Sequence, residues 1–98
     1  MNEKYGRFKK FRKYLRKLMA SCQITAYRLA QMADLSPSTI TRILKGDRVP
    51  SRGTVFKLAQ VIFEYTALIS ERDAQRLVDH SGYPLPRRPL FGEPVKPN

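Results

Sequence analysis

Between Thr25 and Gly46 two helix start signals stand so close together that the chain has room only for short, mutually supporting helices. Thr25 precedes Ala26-Tyr27-Arg28-Leu29-Ala30-Gln31-Met32-Ala33, and its hydroxyl is suited to accept the free amide protons of a helix start. Ser36 precedes Pro37, and proline at the first helical position gives up only a donor that had no partner there. The segment from Pro37 to Lys45 sets Ile40, Ile43 and Leu44 on one side and Ser38, Thr41, Arg42 and Lys45 on the other, with Gly46 as its stop. The first of the two helices supports the second, whose apolar side must pack on the body of the domain.

The flanking sequence supplies that body. Apolar residues at 8, 11, 15, 18 and 22 predict a first helix ending near Ser21, with Arg7, Lys9, Lys10, Arg12, Lys13, Arg16 and Lys17 on its polar face. Ser51 predicts the start of a fourth helix that buries Val55, Leu58, Ala59, Ile62 and Tyr65. Ser70-Glu71-Arg72-Asp73 has the spacing of a capping box and opens a fifth helix with Ala74, Leu77 and Val78 inward, ending by Gly82. Five of the seven prolines lie from Pro84 to Pro97, so an extended, proline-rich C-terminal arm is expected there. The expected fold is therefore all-α, with five helices and no internal repeats. Residues 1–65 hold the paired short helices and their basic first helix, and residues 66–98 form a fifth helix and an arm for packing or dimerisation.

Charge decides the class of partner. Nineteen Lys and Arg against eight Asp and Glu give a formal net charge of +11, and a polyanion is the obvious ligand. The excess falls in the first two-thirds of the chain, whereas residues 63–98 carry five residues of each sign. A basic binding surface joined to a neutral part with other duties is the reading of that asymmetry. Cys22 is the single cysteine, so neither an internal disulfide nor a cysteine zinc clasp is available; it is expected as a small buried hydrophobe in a reducing cytoplasm. No run resembles a signal-peptide core or a membrane span. Asp79, His80 and Ser81 are adjacent, and adjacent residues cannot converge on one reacting atom, so catalysis is not expected. No cofactor or metal is expected.

The run Ile24-Thr25-Ala26-Tyr27-Arg28-Leu29-Ala30-Gln31, then Ser36-Pro37-Ser38-Thr39-Ile40-Thr41-Arg42-Ile43-Leu44-Lys45-Gly46, resembles the Cro and phage-repressor (lambda-repressor-like) helix-turn-helix family. Pro50-Ser51 with Leu58-Ala59 is similar to that family's fourth helix, and Leu15-Arg16 with Leu18 to its first. Three departures stand out. Asp34 occupies a turn where the family usually has glycine, and Asp tolerates the left-handed conformation better than most residues. Ala26 replaces the glutamine that touches phosphate, so Thr25, Tyr27 or Arg28 must supply that contact. The family's buried Arg–Glu pair aligns with Met19 and Leu44, a paired exchange of charge for apolar packing that costs no stability when both partners change.

The resemblance implies a compact five-helix DNA-binding domain and a prokaryotic or phage-encoded regulator, cytoplasmic and nucleoid-associated. It also implies a symmetric homodimer on a palindromic operator in double-stranded DNA, with the third helix in the major groove. Pro37, Ser38 and Arg42 then face bases, with Ser36 and Thr41 at the margin. Arg42 is the strongest candidate, since its guanidinium bonds guanine bidentately at about 1–3 kcal/mol of discrimination. Lys45, Arg48, Arg52 and Lys57 fall where family members touch the DNA backbone. Transcriptional repression is the expected outcome. Two alternatives remain open at this point. One is an antitoxin-type module that autoregulates its operon and binds a protein through residues 66–98. The other is RNA or membrane-surface binding by the basic first helix through Tyr5, Phe8 and Phe11. A loose PxxP pattern, Pro86-Arg87-Arg88-Pro89, competes with a packed arm in which Tyr83, Leu85, Leu90 and Phe91 dock on a neighbouring surface.

Overall fold

The computed structural model describes residues 8–84. In chain order the described residues form α1 (Lys9–Cys22), α2 (Ala26–Ala33), α3 (Pro37–Lys45), α4 (Arg52–Tyr65) and α5 (Glu71–Ser81), with no strand among them. The helix pairs in closest contact are α2 with α3, α4 with α5, and α1 with α5.

Each start signal works as its chemistry requires. The hydroxyls of Thr25, Ser36, Ser51 and Ser70 accept the amide protons of Arg28, Thr39, Thr54 and Asp73, three residues on. At α5 the bond is reciprocal, because the Asp73 carboxylate accepts the Ser70 amide proton at 3.2 Å. That bond, with a smaller contribution from the Tyr14 hydroxyl, holds the Asp73 carboxyl below the usual carboxylate range.

Three successive helices end in the same motif. The residue past each end is left-handed, at φ 57° for Gln23, 59° for Asp34 and 91° for Gly46. The amides of Ile24, Leu35 and Asp47 reach back to the carbonyls of Met19, Ala30 and Arg42, each at 2.9 Å. This six-to-one closure turns the chain sharply and satisfies carbonyls that the helix leaves open. Asp34 therefore serves where glycine is more usual, as its tolerance of this region allows.

One core joins all five helices. Phe8, Phe11, Leu15, Leu18 and Cys22 of the first apolar stripe are buried, together with Leu29, Ile40, Ile43, Leu58, Ile62, Leu77 and Val78. Burial pushes the Cys22 thiol up, away from the reactive thiolate. Met19 is buried and Leu44 packs half-buried against the same core, the apolar exchange expected for the missing ion pair. The fourth helix departs from expectation at one residue. Tyr65 is 40% exposed and does not complete the buried stripe. It lies in the last turn of a 14-residue helix, which has there run past the elements covering Val55, Leu58, Ala59 and Ile62.

The beginning of the arm packs on its own domain. The Tyr83 ring lies 5.9 Å from that of Phe8, and its hydroxyl donates to the Pro50 carbonyl at 2.9 Å. The buried Ser81 hydroxyl accepts the Tyr83 amide proton and donates to the Val78 carbonyl. Leu85, Leu90, Phe91 and the PxxP segment lie outside the described residues, as does Tyr5. Phe8 and Phe11 are only 2% and 0% exposed, so these two rings belong to the core and not to a membrane-facing surface. No helix among the described residues is long and apolar enough to cross a membrane, and no group of three or more His, Cys, Asp or Glu is placed to hold a metal ion.

Candidate nucleic-acid interface

Helix α3 is anchored by Ile40 and Ile43, both fully buried, so its opposite side must face solvent. At 100° per residue, Pro37, Thr41, Lys45, Ser38 and Arg42 fall in one continuous arc of about 140°. All five are exposed. A helix presenting such an arc beyond the body of its domain has the shape that enters a DNA major groove.

The side chains on this arc are unequally free. The Ser36 hydroxyl caps the helix and lies 2.8 Å from the Thr39 hydroxyl and 3.4 Å from that of Ser38. The Thr41 hydroxyl donates back to the Pro37 carbonyl at 3.0 Å, which occupies its only proton. Arg42 has no partner among the described residues and keeps all its donors. Its position in the last turn of α3, with Lys45, also places positive charge at the negative end of the helix dipole.

Around this helix the expected backbone contacts are exposed as well: Thr25, Tyr27 and Arg28 at the start of α2, then Lys45, Arg48, Arg52 and Lys57. Tyr27 is 61% exposed, a large surface for an aromatic side chain. The Thr25 hydroxyl is engaged as the α2 cap, so Tyr27 and Arg28 are the freer replacements for the contact that Ala26 lacks. The Arg52 guanidinium rests 5.5 Å from the centroid of the Phe56 ring, which fixes its direction at the start of α4. Lys57 borders a shallow depression with Ala33, Asp34, Leu35, Ser51, Gly53 and Thr54, beside the turn between α2 and α3.

Two further residues of the basic coat of α1 enter the site. Arg16 donates through its guanidinium to the Leu44 carbonyl, one of the open carbonyls at the end of α3. Arg12 lies beside Gly46, such that a methyl carbon there would come within 3.2 Å of its Cζ. Helix α1 thus steadies the end of α3 through arginine, one turn before Met19. The signal for it was the pair of arginines four residues apart, which only the packing of α1 on α3 gives a target.

Gly46→Ala should therefore be costly twice over, forcing a left-handed Cβ and crowding Arg12. We expect a loss of about 1–2 kcal/mol, seen as a fall in Tm of roughly 4–8 °C per kcal/mol. An unchanged melting curve would show that the α3 end tolerates the methyl group and that the Arg12 contact constrains nothing.

A capped helix seated on a short supporting helix, with an exposed cationic arc, defines a DNA-binding domain of the helix-turn-helix class. A family model described as Helix-turn-helix matches residues 15–67, more than half of the chain, and the protein belongs to that family of Cro and lambda-repressor type. It is a DNA-binding regulator in the general sense that this family defines. No curated protein and no solved structure matches the chain.

Proposed function

We propose that this protein is a transcriptional repressor that binds a palindromic operator as a homodimer, placing α3 in the major groove of double-stranded DNA. The observation that carries the reading is Arg42, exposed and without a partner among the described residues, on a helix whose other side is committed to the core. In this reading Arg42 contacts a guanine, Ser38 and Pro37 touch neighbouring base edges, and Ser36 and Thr41 stand at the margin with hydroxyls already engaged. Tyr27, Arg28, Lys45, Arg48, Arg52 and Lys57, with Thr25, hold the phosphates on either side and set affinity more than sequence. Repression follows from occupancy of promoter DNA in the cytoplasm. The dimer contact falls in residues 66–98, supported by Leu68 at 72% exposed next to the half-exposed Tyr65. The apolar face of α5 is committed internally, which among the described residues leaves Leu68 for a second subunit.

Selection from a random-sequence duplex pool with the purified full chain tests both parts at once. A recovered palindrome, with half-sites about one helical turn apart, is expected. A single unpaired half-site would remove the dimer from the proposal, and recovery of no consensus would remove sequence specificity.

A further inference from the structure

We propose that the face shared by α1 and α5 is a binding site for a small phosphorylated molecule of about mononucleotide size, separate from the DNA-reading surface. Lys10, Lys13, Tyr14, Lys17 and His80 line a cavity there of about 340 Å³. That is within the range of small-molecule sites, roughly 300–1,000 Å³. The basic coat of α1 divides between two neighbours. Arg12 and Arg16 turn to the end of α3, whereas Lys10 and Lys17 border the cavity next to α5.

The charge in this cavity has no ion-pair partner among the described residues. Lys10, Lys13 and Lys17 follow one another at three- and four-residue steps on α1, where like charges repel and weaken the helix. Lys10 and Lys13 have no partner among the described residues, and Lys17 has only the Tyr14 ring, its Nζ 5.9 Å from the centroid. No carboxylate of the described residues lines the cavity. Asp73, which does reach Tyr14, is taken up by the Ser70 amide at 3.2 Å and by the Tyr14 hydroxyl at 3.4 Å. An incoming anion would relieve the repulsion that the protein itself leaves standing.

The composition of the site selects among anions. Among the described residues the charges that line it are ammonium groups, and the Arg76 guanidinium lies behind the wall, engaged with the Tyr14 hydroxyl and Asp73. Compact, multiply donating ammoniums suit a phosphate, whereas a planar carboxylate gains most from the arginine fork. The wall between them is aromatic and held in place. The Tyr14 and His80 rings lie 5.0 Å apart at 59°, and the Tyr14 hydroxyl is tied to Asp73, itself fixed in the α5 capping box. A ligand with a phosphate and an apolar or heterocyclic body meets both features. The lysines take the phosphate, and the rings take the body.

The test is an amide NMR titration of the full chain with adenosine 5′-monophosphate, with adenosine as the uncharged control and a duplex lacking the operator as the other source of phosphate. Saturable shifts are expected at Lys10, Lys13, Tyr14, Lys17 and His80 with the monophosphate, and none with adenosine. The double variant Lys13→Gln and Lys17→Gln, both exposed positions, should lose at least about tenfold in affinity, as expected when two charged groups go, with the melting curve held. Three results overturn the proposal. One is shifts spread equally over Lys45, Arg48 and Arg52. Another is a double variant that binds as tightly as the parent. The third is a duplex that shifts these amides while the monophosphate does not, which would make this face a track for the DNA backbone. None of these bears on whether α3 reads an operator.

Discussion

A chain ending at Tyr65 should not hold the helix-turn-helix together. The truncation removes Ile69, Ala74, Leu77 and Val78, of which the last three are fully buried, and leaves their partners on α1 and α4 facing water. Burying one such Leu, Ile or Val side chain contributes about 1.5–3 kcal/mol, so Ile69, Leu77 and Val78 together are worth roughly 4.5–9 kcal/mol. Small domains hold only about 5–15 kcal/mol in all. The Tyr83 anchor on Phe8 and Pro50 would disappear as well. We expect the truncated chain to show reduced helicity by circular dichroism and no cooperative thermal transition, and to bind DNA without sequence preference. A sharp melt within a few degrees of the full chain would show that α1 to α4 fold alone. Composition changes near residue 65, and with it the proposed duty of the chain, but the hydrophobic core runs across that point.

Replacing Arg42 by alanine should separate affinity from specificity. If its guanidinium bonds a base, Arg42→Ala weakens binding to the selected operator by about 1–3 kcal/mol, roughly 5- to 150-fold, and relaxes the preference at one position of each half-site. Arg48→Ala is the control. Removing a phosphate-binding charge there should weaken all sequences alike and reduce the slope of binding against salt by about one ion. Arg42 is exposed and outside the core, so the melting temperature should hold in both variants. Were Arg42→Ala to weaken matched and mismatched sites equally, the residue would belong with the groups that hold the DNA backbone, and the reading of bases would have to pass to Ser38 and Pro37.

Much of the fold was legible because its signals are local. A hydroxyl three residues ahead of an amide, a proline at a first helical position and a left-handed residue at a helix end each act within one turn, and Thr25, Ser36, Pro37, Asp34 and Gly46 all do so here. Periodicity likewise picked out Phe8, Phe11, Leu15, Leu18 and Cys22 as one inward face. It failed at Tyr65, because a stripe continues in sequence after the neighbouring elements have ended.

Where the helices start and stop, which faces are apolar, and that the outward face of α3 carries Ser38, Thr41, Arg42 and Lys45 all follow from interactions within a few residues and so are written in the local sequence. The use made of the basic coat of α1 depends instead on long-range packing. Residues between 28 and 59 positions apart meet where Arg16 reaches the Leu44 carbonyl, Tyr14 crosses to Asp73, and Tyr83 closes on Pro50. No local rule contains such pairs. They depend on how α1 packs between α3 and α5, and that packing sends arginine to the end of α3 and gathers lysine around a cavity.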